Sequence, residues 1–324
     1  AASDVYKRQG IFRADRHIHV KKGGVHLLNK EIRELLPERL RGLVERVVLK
    51  EEKLQEIRIR REKGIALRYD GRFVVPEQKQ SVTMAEWKEL ISRISRQSLY
   101  AFEEQMREGF LTIPGGHRVG LAGHVVYEHG VVKTMRYLSG LNIRISHEIK
   151  GCSDKLMPFV VLNTVILPTL IIAPPGGGKT TLLRDFVRNL SRQCNVAVVD
   201  ERSEIAGCYM GISQRDLGSF CDVLDGCKKA DGVRMMIRSM APQVVAVDEI
   251  GTSEDIAALS YALTSGCSLL ATIHGETLSQ VRQKKEFQAV FENRMFERYI
   301  LLDNLFHPGK CLAVYDKEGK TIWK

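Results

Sequence analysis

The chain has 324 residues, 44% of them hydrophobic, which is enough apolar content for two buried cores. Its 49 Lys and Arg outnumber its 39 Asp and Glu and give a formal net charge of +10. No apolar run approaches the roughly 20 residues that span a bilayer, and no signal peptide opens the chain. We therefore expect any membrane association to come through a partner.

The basic balance suits nucleic acid, an anionic membrane face or an acidic partner, and a solvated basic surface explains it equally well. Basic residues cluster at 21–22 and 58–61, without the interleaved aromatic residues that stack on bases, so nucleic acid is a secondary hypothesis. The seven cysteines are odd in number and lack C-x-x-C pairs. This pattern indicates reduced thiols in a cytoplasm.

Three segments are predicted along the chain: a disordered or non-native lead over 1–24, a smaller α+β domain over 25–150, and a larger domain over 151–324. In the α+β domain, the spacing of Leu and Ile predicts a helical stretch over 27–49. Residues 55–66 alternate as a strand does, and Asp70-Gly71 is a strong hairpin turn signal.

A second helical stretch is predicted over 83–106. Between Phe110 and Lys133 the sequence predicts short strands punctuated by glycine. Near the end of the chain, closing strands are expected around 299–302 and 311–315, with a turn at His307-Pro-Gly309.

The larger domain contains a phosphate-binding loop, Ala173-Pro-Pro-Gly-Gly-Gly-Lys-Thr-Thr181, between the apolar run 169–172 and a helical pattern. Side chains must be absent where amide N–H groups turn toward phosphate oxygens. Lys179 is predicted to contact the β- and γ-phosphates, and the Thr180 hydroxyl to bind Mg²⁺. The predicted nucleotide-binding residues are Pro175, Gly176, Gly177, Gly178, Lys179, Thr180 and Thr181.

The usual motif begins with Gly, whereas this chain has Ala173, an exchange that is tolerated where φ is negative.

Three further runs, 196–199, 244–247 and 269–273, are almost continuously apolar, as are strands buried on both faces of a parallel sheet. Each run ends in polar residues. Together with the run 169–172 they make four predicted strands whose polar residues lie at the carboxyl ends, where doubly wound sheets bind ligands.

The strand 244–247 ends in Asp248 and Glu249. An acidic residue at such a strand end holds hydrated Mg²⁺, and its neighbour polarises the attacking water. We assign Asp248 to the metal, together with Thr180, and Glu249 to the general base.

Two further groups lie at the same predicted edge. The stretch 199–204 places three carboxylates and one guanidinium together, either to orient water or metal, with Glu201 as the catalytic candidate, or as a self-paired charged loop. His274 precedes a Gly turn, where its imidazole either contacts the γ-phosphate or is an incidental polar residue.

These motifs carry a family resemblance. The sequences around 173–185, 198–207 and 237–251 together resemble the stage III sporulation protein AA family, and the likeness extends to 54–60 and 116–120, covering roughly 25–324. That family is related to the type II and type IV secretion ATPases, in the wider RecA-like and AAA group. By position, Lys179 and Thr180 match Walker A, Asp248 and Glu249 match Walker B, 200–204 match the acidic box, and His274 matches the histidine box.

The resemblance implies an α/β P-loop RecA-like ATPase domain with a mainly parallel sheet, preceded by the smaller α+β domain. It also implies ATP and Mg²⁺ as ligands and a homo-oligomeric, hexameric ring. The ring is expected in the mother-cell cytoplasm of an endospore former, docked through membrane-embedded channel proteins that join mother cell to forespore.

Ring ATPases complete each site with an arginine that neutralises γ-phosphate charge. The related secretion ATPases draw such arginines from the N-terminal domain, and by this analogy we expect Arg118 and Arg144 to serve. The alternative is a pair of solvated surface arginines.

The function predicted from the sequence is Mg²⁺-dependent ATP hydrolysis that energises a secretion-like sporulation channel. Two alternatives stay open: a nucleic-acid-binding P-loop motor, and an ATP-gated assembly scaffold with slow hydrolysis.

Overall fold

The computed structural model describes residues 28–77, 81–95, 106–107, 109–303 and 307–324. These residues form two compact units, one ending at His147 and the other beginning at Glu148. The predicted lead over 1–24, and 96–105 within the second predicted helix, lie outside the described residues.

The first unit is built on an antiparallel six-stranded sheet in the order β3-β2-β1-β6-β5-β4. Its strands are β1 (Leu54–Arg60), β2 (Ile65–Tyr69), β3 (Arg72–Val74), β4 (Phe110–Ile113), β5 (His117–Glu128) and β6 (Val131–Arg144). Its helices are α1 (Lys30–Leu35), α2 (Glu38–Glu45) and α3 (Met84–Ser95), which share one hydrophobic core with the sheet.

The helical stretch predicted over 27–49 is two helices. Pro37 separates α1 from α2, because proline disfavours helical backbone in the residue before it and has no N–H to donate. Asn29 caps α1 by accepting a hydrogen bond from the Ile32 N–H at 3.0 Å.

The hairpin predicted at Asp70-Gly71 is present between β2 and β3, with φ of 51° at Asp70 and 76° at Gly71. The single alternating stretch predicted over 55–66 is interrupted by a turn with Glu62 at φ 58°, so it spans the end of β1 and the start of β2. The short strands predicted after Phe110 are instead mostly two long ones, because Gly120 and Gly123 stay within β5.

The second unit holds an eight-stranded sheet in the order β11-β10-β12-β13-β9-β14-β15-β16, parallel from β11 to β14 and antiparallel beyond. Its strands are β9 (Thr169–Ala173), β10 (Val196–Asp200), β11 (Cys221–Asp225), β12 (Val244–Val247), β13 (Ser268–His274), β14 (Arg298–Leu302), β15 (Cys311–Asp316) and β16 (Thr321–Trp323). A small hairpin, β7 (Val161–Leu162) with β8 (Val165–Ile166), stands apart from this sheet.

Helices cover both faces of this sheet. Alternate residues of each buried strand point to opposite faces, so the strands contribute to two cores. The helices of this unit are α4 (Met157–Val160), α5 (Lys179–Leu190), α6 (Lys229–Met240), α7 (Ser253–Thr264), α8 (Leu278–Arg282) and α9 (Gln288–Glu292). Residues of α4 and α5 share a core with one face, and residues of α6 to α9 share a core with the other. The predicted α/β class with a mainly parallel sheet is therefore confirmed, as is the separate antiparallel N-terminal region.

The four predicted apolar strands are β9, β10, β12 and β13, and they run side by side with parallel register. Their carboxyl ends meet at one edge, where His274 pairs with Ala173 across β13 and β9. The closing strands predicted around 299–302 and 311–315 are β14 and β15.

Asp185, on α5, anchors the beginning of the second unit. Its buried carboxylate accepts hydrogen bonds from the N–H of Gly151 at 3.1 Å and from the N–H and hydroxyl of Ser153 at 2.8 and 2.7 Å. Arg188 adds an ion pair at 2.7 Å. Burial opposes ionisation of Asp185, but these hydrogen bonds outweigh it and lower the pKa of the carboxyl.

We predict that Asp185→Ala lowers the free energy of unfolding by about 3 kcal/mol, because Arg188 is left buried without its partner. The depressed pKa of Asp185 stabilises the folded state at pH values above 3.8, the ordinary pKa of an aspartate. The difference in unfolding free energy between the variant and wild type should therefore narrow as the pH falls below 3.8. Denaturant titration from pH 7 to pH 3 measures both effects. Asp222→Ala, at an exposed carboxylate, is the control, and equal stability of the two variants would contradict the prediction.

Candidate functional site

The phosphate loop connects the buried strand β9 to helix α5. Gly176 has φ 74° and Gly178 has φ 91°, a conformation that side chains with a Cβ rarely adopt. Gly178 is the N-cap of α5 and supplies no side-chain hydrogen bond to the helix. The first N–H groups of this 12-residue helix therefore lack a side-chain cap and are available to an anion.

Gly177 and Gly178 are also required by packing. A Cβ on Gly177 would lie 2.9 Å from the Ala173 Cβ and 3.0 Å from the Asp303 carbonyl oxygen. A Cβ on Gly178 would lie 2.7 Å from the Gly309 nitrogen, and the Gly309 N–H donates to the Gly177 carbonyl at 2.9 Å. The turn predicted at 307–309 thus packs against the phosphate loop.

The Lys179 ammonium is held by three acceptors from the protein. It donates to the carbonyl oxygens of Ala173 at 3.0 Å and Pro174 at 3.1 Å, and it contacts His274 Nδ1 at 2.8 Å. Burial lowers the pKa of Lys179, while Asp248, Glu249 and Glu204 act in the opposite direction. These three carboxylates therefore help to keep the partly desolvated Lys179 ammonium charged.

Asp248 follows β12 and lies against the start of α5. The Thr180 hydroxyl donates to Asp248 Oδ2 at 2.5 Å, and the buried Thr272 hydroxyl donates to Oδ1. A hydroxyl beside a carboxylate is an oxygen donor set that suits Mg²⁺, which binds one or two protein oxygens together with substrate phosphates. The predicted pair Thr180 and Asp248 therefore fits this metal.

Glu249 has φ 46°, an unusual conformation for a residue with a Cβ. Its N–H donates to the Thr272 hydroxyl at 2.8 Å, which stabilises the left-handed turn. Its carboxylate is paired on both oxygens, with His274 Nε2 at 2.9 Å and with an Arg202 guanidinium nitrogen at 3.2 Å. A strained backbone held by a buried hydroxyl is typical of functional positions.

These contacts define the tautomer of His274. Its Nδ1 accepts from the Lys179 ammonium, so the proton of the neutral ring is on Nε2, which donates to Glu249. One imidazole thus connects the phosphate-binding lysine to the candidate base.

The acidic box is folded around Asp200, which is 1% exposed. Its carboxylate accepts from the N–H groups of Glu204, Ile205 and Ala206 at 2.8 to 2.9 Å. Burial raises the pKa of Asp200 to about 6, with Asp225 acting in the same direction and the three N–H donors opposing.

Arg184 of α5 holds the same loop from the other side. Its guanidinium donates to the carbonyl oxygens of Ile205 at 2.6 Å and Glu204 at 2.7 Å. No sequence pattern marks this role of Arg184, which lies within the motif at 173–185, because its partners are backbone atoms of residues distant in sequence. The contact ties the phosphate-loop helix to the acidic box.

A cavity of about 360 Å³ collects most of the predicted residues. It is lined by Pro175, Gly176, Gly178, Lys179, Thr180, Thr181, Arg202, Glu204, Asp248, Glu249 and His274. Gly177 does not line it. Glu201, the catalytic candidate of the acidic box, pairs with Lys229 instead, and Glu204 is the carboxylate of this loop that reaches the cavity.

A second, larger cavity of about 1070 Å³ adjoins the first and shares Arg202, Glu249 and His274 with it. Its walls carry charges of both signs, among them Glu201, Lys229 and Arg234. Arg202 and Glu249 therefore stand at the boundary between the two cavities.

Arg118 and Arg144 belong to the first unit, where they pair directly across β5 and β6 and so share a face of the sheet. The Arg118 guanidinium lies 3.8 Å from the centre of the Phe110 ring, a cation–π contact. Their proposed role as arginine fingers stays a prediction.

Within the described ranges, no group of three or more His, Cys, Asp or Glu side chains is arranged to hold a metal ion by itself, and the seven cysteines form no disulfide. Among the helices of those ranges, none combines the length and apolar composition needed to cross a bilayer.

Two solved structures share the fold. The Legionella pneumophila ATPase DotB superposes with a TM-score of 0.52 at 18% identity, over 76% of this chain and 72% of that one. The pilus retraction motor PilT with bound ADP gives 0.55 at 15% identity, over 76% and 74%. These likenesses establish the P-loop secretion-ATPase fold.

Sequence comparison is more specific. Stage III sporulation protein AA of Bacillus subtilis is 42% identical over 299 residues, which are 90% of this chain and 96% of that protein. Protein SEEDLING PLASTID DEVELOPMENT 1 of Arabidopsis thaliana is 28% identical over 46% of this chain and 22% of its own length. The family model for sporulation stage III protein AA matches residues 28–322. The chain therefore belongs to the sporulation stage III protein AA family.

Proposed function

We propose that this protein binds ATP in the phosphate-loop cavity and hydrolyses it in a Mg²⁺-dependent reaction. The observation that carries the proposal is the convergence of Lys179, Thr180, Asp248 and Glu249 on one cavity, at the carboxyl edge of the parallel sheet. The secretion-ATPase fold and the family membership agree with it.

Each residue has a role that follows from its position. The uncapped N-terminus of α5 and the Lys179 ammonium bind the phosphates. Thr180 and Asp248 would hold Mg²⁺, which when bound neutralises charge on the β- and γ-phosphates. Glu249 accepts the proton of the attacking water as general base.

His274 is proposed to report whether the γ-phosphate is present, because its Nδ1 competes with phosphate for the Lys179 ammonium. When the nucleotide takes Lys179, the imidazole becomes free to turn toward the γ-phosphate. Glu201 is proposed to act indirectly, through its ion pair with Lys229, on the position of the acidic box.

We further propose that the sites are completed between subunits of a homo-oligomeric, hexameric ring, with Arg118 and Arg144 of a neighbouring copy facing the γ-phosphate. They are direct cross-strand neighbours and so place two positive charges on one face of the first unit, next to Glu56 of β1, which supports this role.

In the cell, the ring is proposed to lie in the mother-cell cytoplasm and to dock on membrane-embedded sporulation channel proteins. Relative movement of the two units would then transmit the free energy of hydrolysis to the channel. The sporulation family and the secretion-ATPase fold support this assignment.

Glu249→Gln is expected to lower the ATPase turnover at least 100-fold while ATP still binds, because general-base catalysis contributes about 10²–10⁴ in rate. Lys179→Ala, by contrast, should weaken ATP binding itself. A coupled phosphate-release assay and a nucleotide-binding titration separate the two effects. Normal turnover of Glu249→Gln would contradict the assignment of the base.

The ATPase rate per subunit should rise with protein concentration, because assembly completes the sites. Steady-state rates with Mg²⁺ and saturating ATP, measured beside the molar mass in solution, test this expectation. Lys179→Ala serves as the background control. A nonzero rate that stays constant across the concentrations over which the molar mass increases would place the complete site within one chain.

Arg118→Ala and Arg144→Ala are each expected to reduce turnover of the assembled protein about 10³-fold or more, the range known for arginine fingers. ATP binding and the unfolding transition should stay close to wild type. Arg72→Ala, at an exposed strand position of the same unit, is the matched control. If both variants hydrolyse ATP normally in the assembled state, these arginines are not the fingers.

A further inference from the structure

Arg202 lies where the two cavities of the second unit meet. It lines the phosphate-loop cavity together with Lys179 and Thr180, and it also lines the larger neighbouring cavity. Its guanidinium is the cation in direct contact with Glu249 Oε2, at 3.2 Å. Since the base must lie beside the γ-phosphate that water attacks, a residue bonded to that base is also close to the γ-phosphate.

With both contacts in place, Glu249 is a poor general base. Arg202 occupies one carboxylate oxygen and His274 Nε2–H occupies the other, at 2.9 Å. Because each carboxylate oxygen already has a protein partner, neither one is free to accept a hydrogen bond from an attacking water without losing a contact.

The same chain of contacts reaches the phosphate-binding lysine. His274 links Glu249 to Lys179, whose ammonium is otherwise bound to the carbonyl oxygens of Ala173 and Pro174. Two cations line the cavity, Lys179 and Arg202, and both are paired with protein groups. Arg202 is the one that pairs with the base, Glu249. A polyphosphate that enters the cavity competes for both cations.

The neighbours of Arg202 are held through their side chains, whereas the Arg202 side chain is exposed. Glu201 is paired with Lys229, and the Ser203 hydroxyl donates to Asp225. The Arg202 and Glu249 side chains are 62% and 37% exposed, and exposed ion pairs are weak. The guanidinium can therefore exchange partners without a rearrangement of the loop.

We propose that Arg202 masks Glu249 while ATP is absent and moves to the γ-phosphate when ATP binds, which unmasks the base. This proposal rests on the proposed ATPase function. The γ-phosphate carries more negative charge than the Glu249 carboxylate. It also fits the planar guanidinium fork, which binds phosphate with two parallel hydrogen bonds, and these two properties drive the movement of Arg202. ADP lacks this group, so ADP engages Lys179 and leaves Glu249 paired.

The test compares the affinities of wild type and Arg202→Gln for a non-hydrolysable ATP analogue and for ADP, both with Mg²⁺. We expect the variant to bind the analogue about 10-fold more weakly, the loss of a charge-assisted hydrogen bond, and ADP within twofold of wild type. Arg202→Lys keeps the charge without the guanidinium fork, so its affinity for the analogue should fall between those of wild type and Arg202→Gln. Isothermal titration calorimetry on the full chain gives these affinities.

Arg234→Gln is the matched control, because Arg234 lines the larger cavity and not the phosphate-loop cavity. It should leave the ratio of analogue to ADP affinity unchanged. Equal losses of both affinities in Arg202→Gln would indicate a structural role and overturn the proposal, as would no loss at all. Wild-type protein that binds neither nucleotide would instead overturn the proposed function itself.

A second measurement tests the masking directly. In nucleotide-free protein, carbodiimide modification of Glu249, followed by mass spectrometry of the peptide, should be several-fold faster in Arg202→Gln than in wild type, since Arg202 covers a carboxylate oxygen that attacks the carbodiimide carbon. Equal modification rates would show that Arg202 does not mask the base.

Discussion

The geometry of the candidate site depends on how the loop 204–206 is held. Asp200, at the end of β10, accepts from three N–H groups of this loop, while Arg184 of α5 donates to two of its carbonyl oxygens. Backbone groups that would otherwise be unsatisfied at a buried strand end are thereby bonded to two buried charges. Since α5 also carries Lys179 and Thr180, the same contacts connect the phosphate loop to the acidic box.

Much of the larger unit was predictable because burial on both faces of a sheet imposes a simple pattern. Four nearly continuous apolar runs gave β9, β10, β12 and β13, and the polar residues after them gave the edge at which the site lies. Strand β11 was missed: Asp222 and Asp225 leave its five residues without a continuous apolar run, and it is an edge strand with no fully buried residue. In the smaller unit, the apolar spacing predicted one helix over 27–49, but Pro37 divides it because backbone chemistry overrides periodicity.

Within the site, the sequence identified residue types and could not identify partners. Three carboxylates within 199–204 were equivalent as a pattern. In the structure Ser203 has φ 51°, Glu204 lines the cavity and Glu201 pairs with Lys229. The pairing of Glu249 with His274 and Arg202 joins three different strand ends, so it follows only from the strand order. Such contacts depend on tertiary packing, which local spacing does not encode.

The turn at 307–310 has a consequence for the order in which this protein matures. Gly309 packs on Gly177 and Gly178, and β14 pairs directly with β9, so the wall of the phosphate loop comes from residues translated more than a hundred positions after it. During synthesis, the glycines of the loop leave the ribosome long before the segment that restrains them. The nascent chain therefore carries a loop with the correct residues but without its supporting wall until the segment around Gly309 has been synthesised.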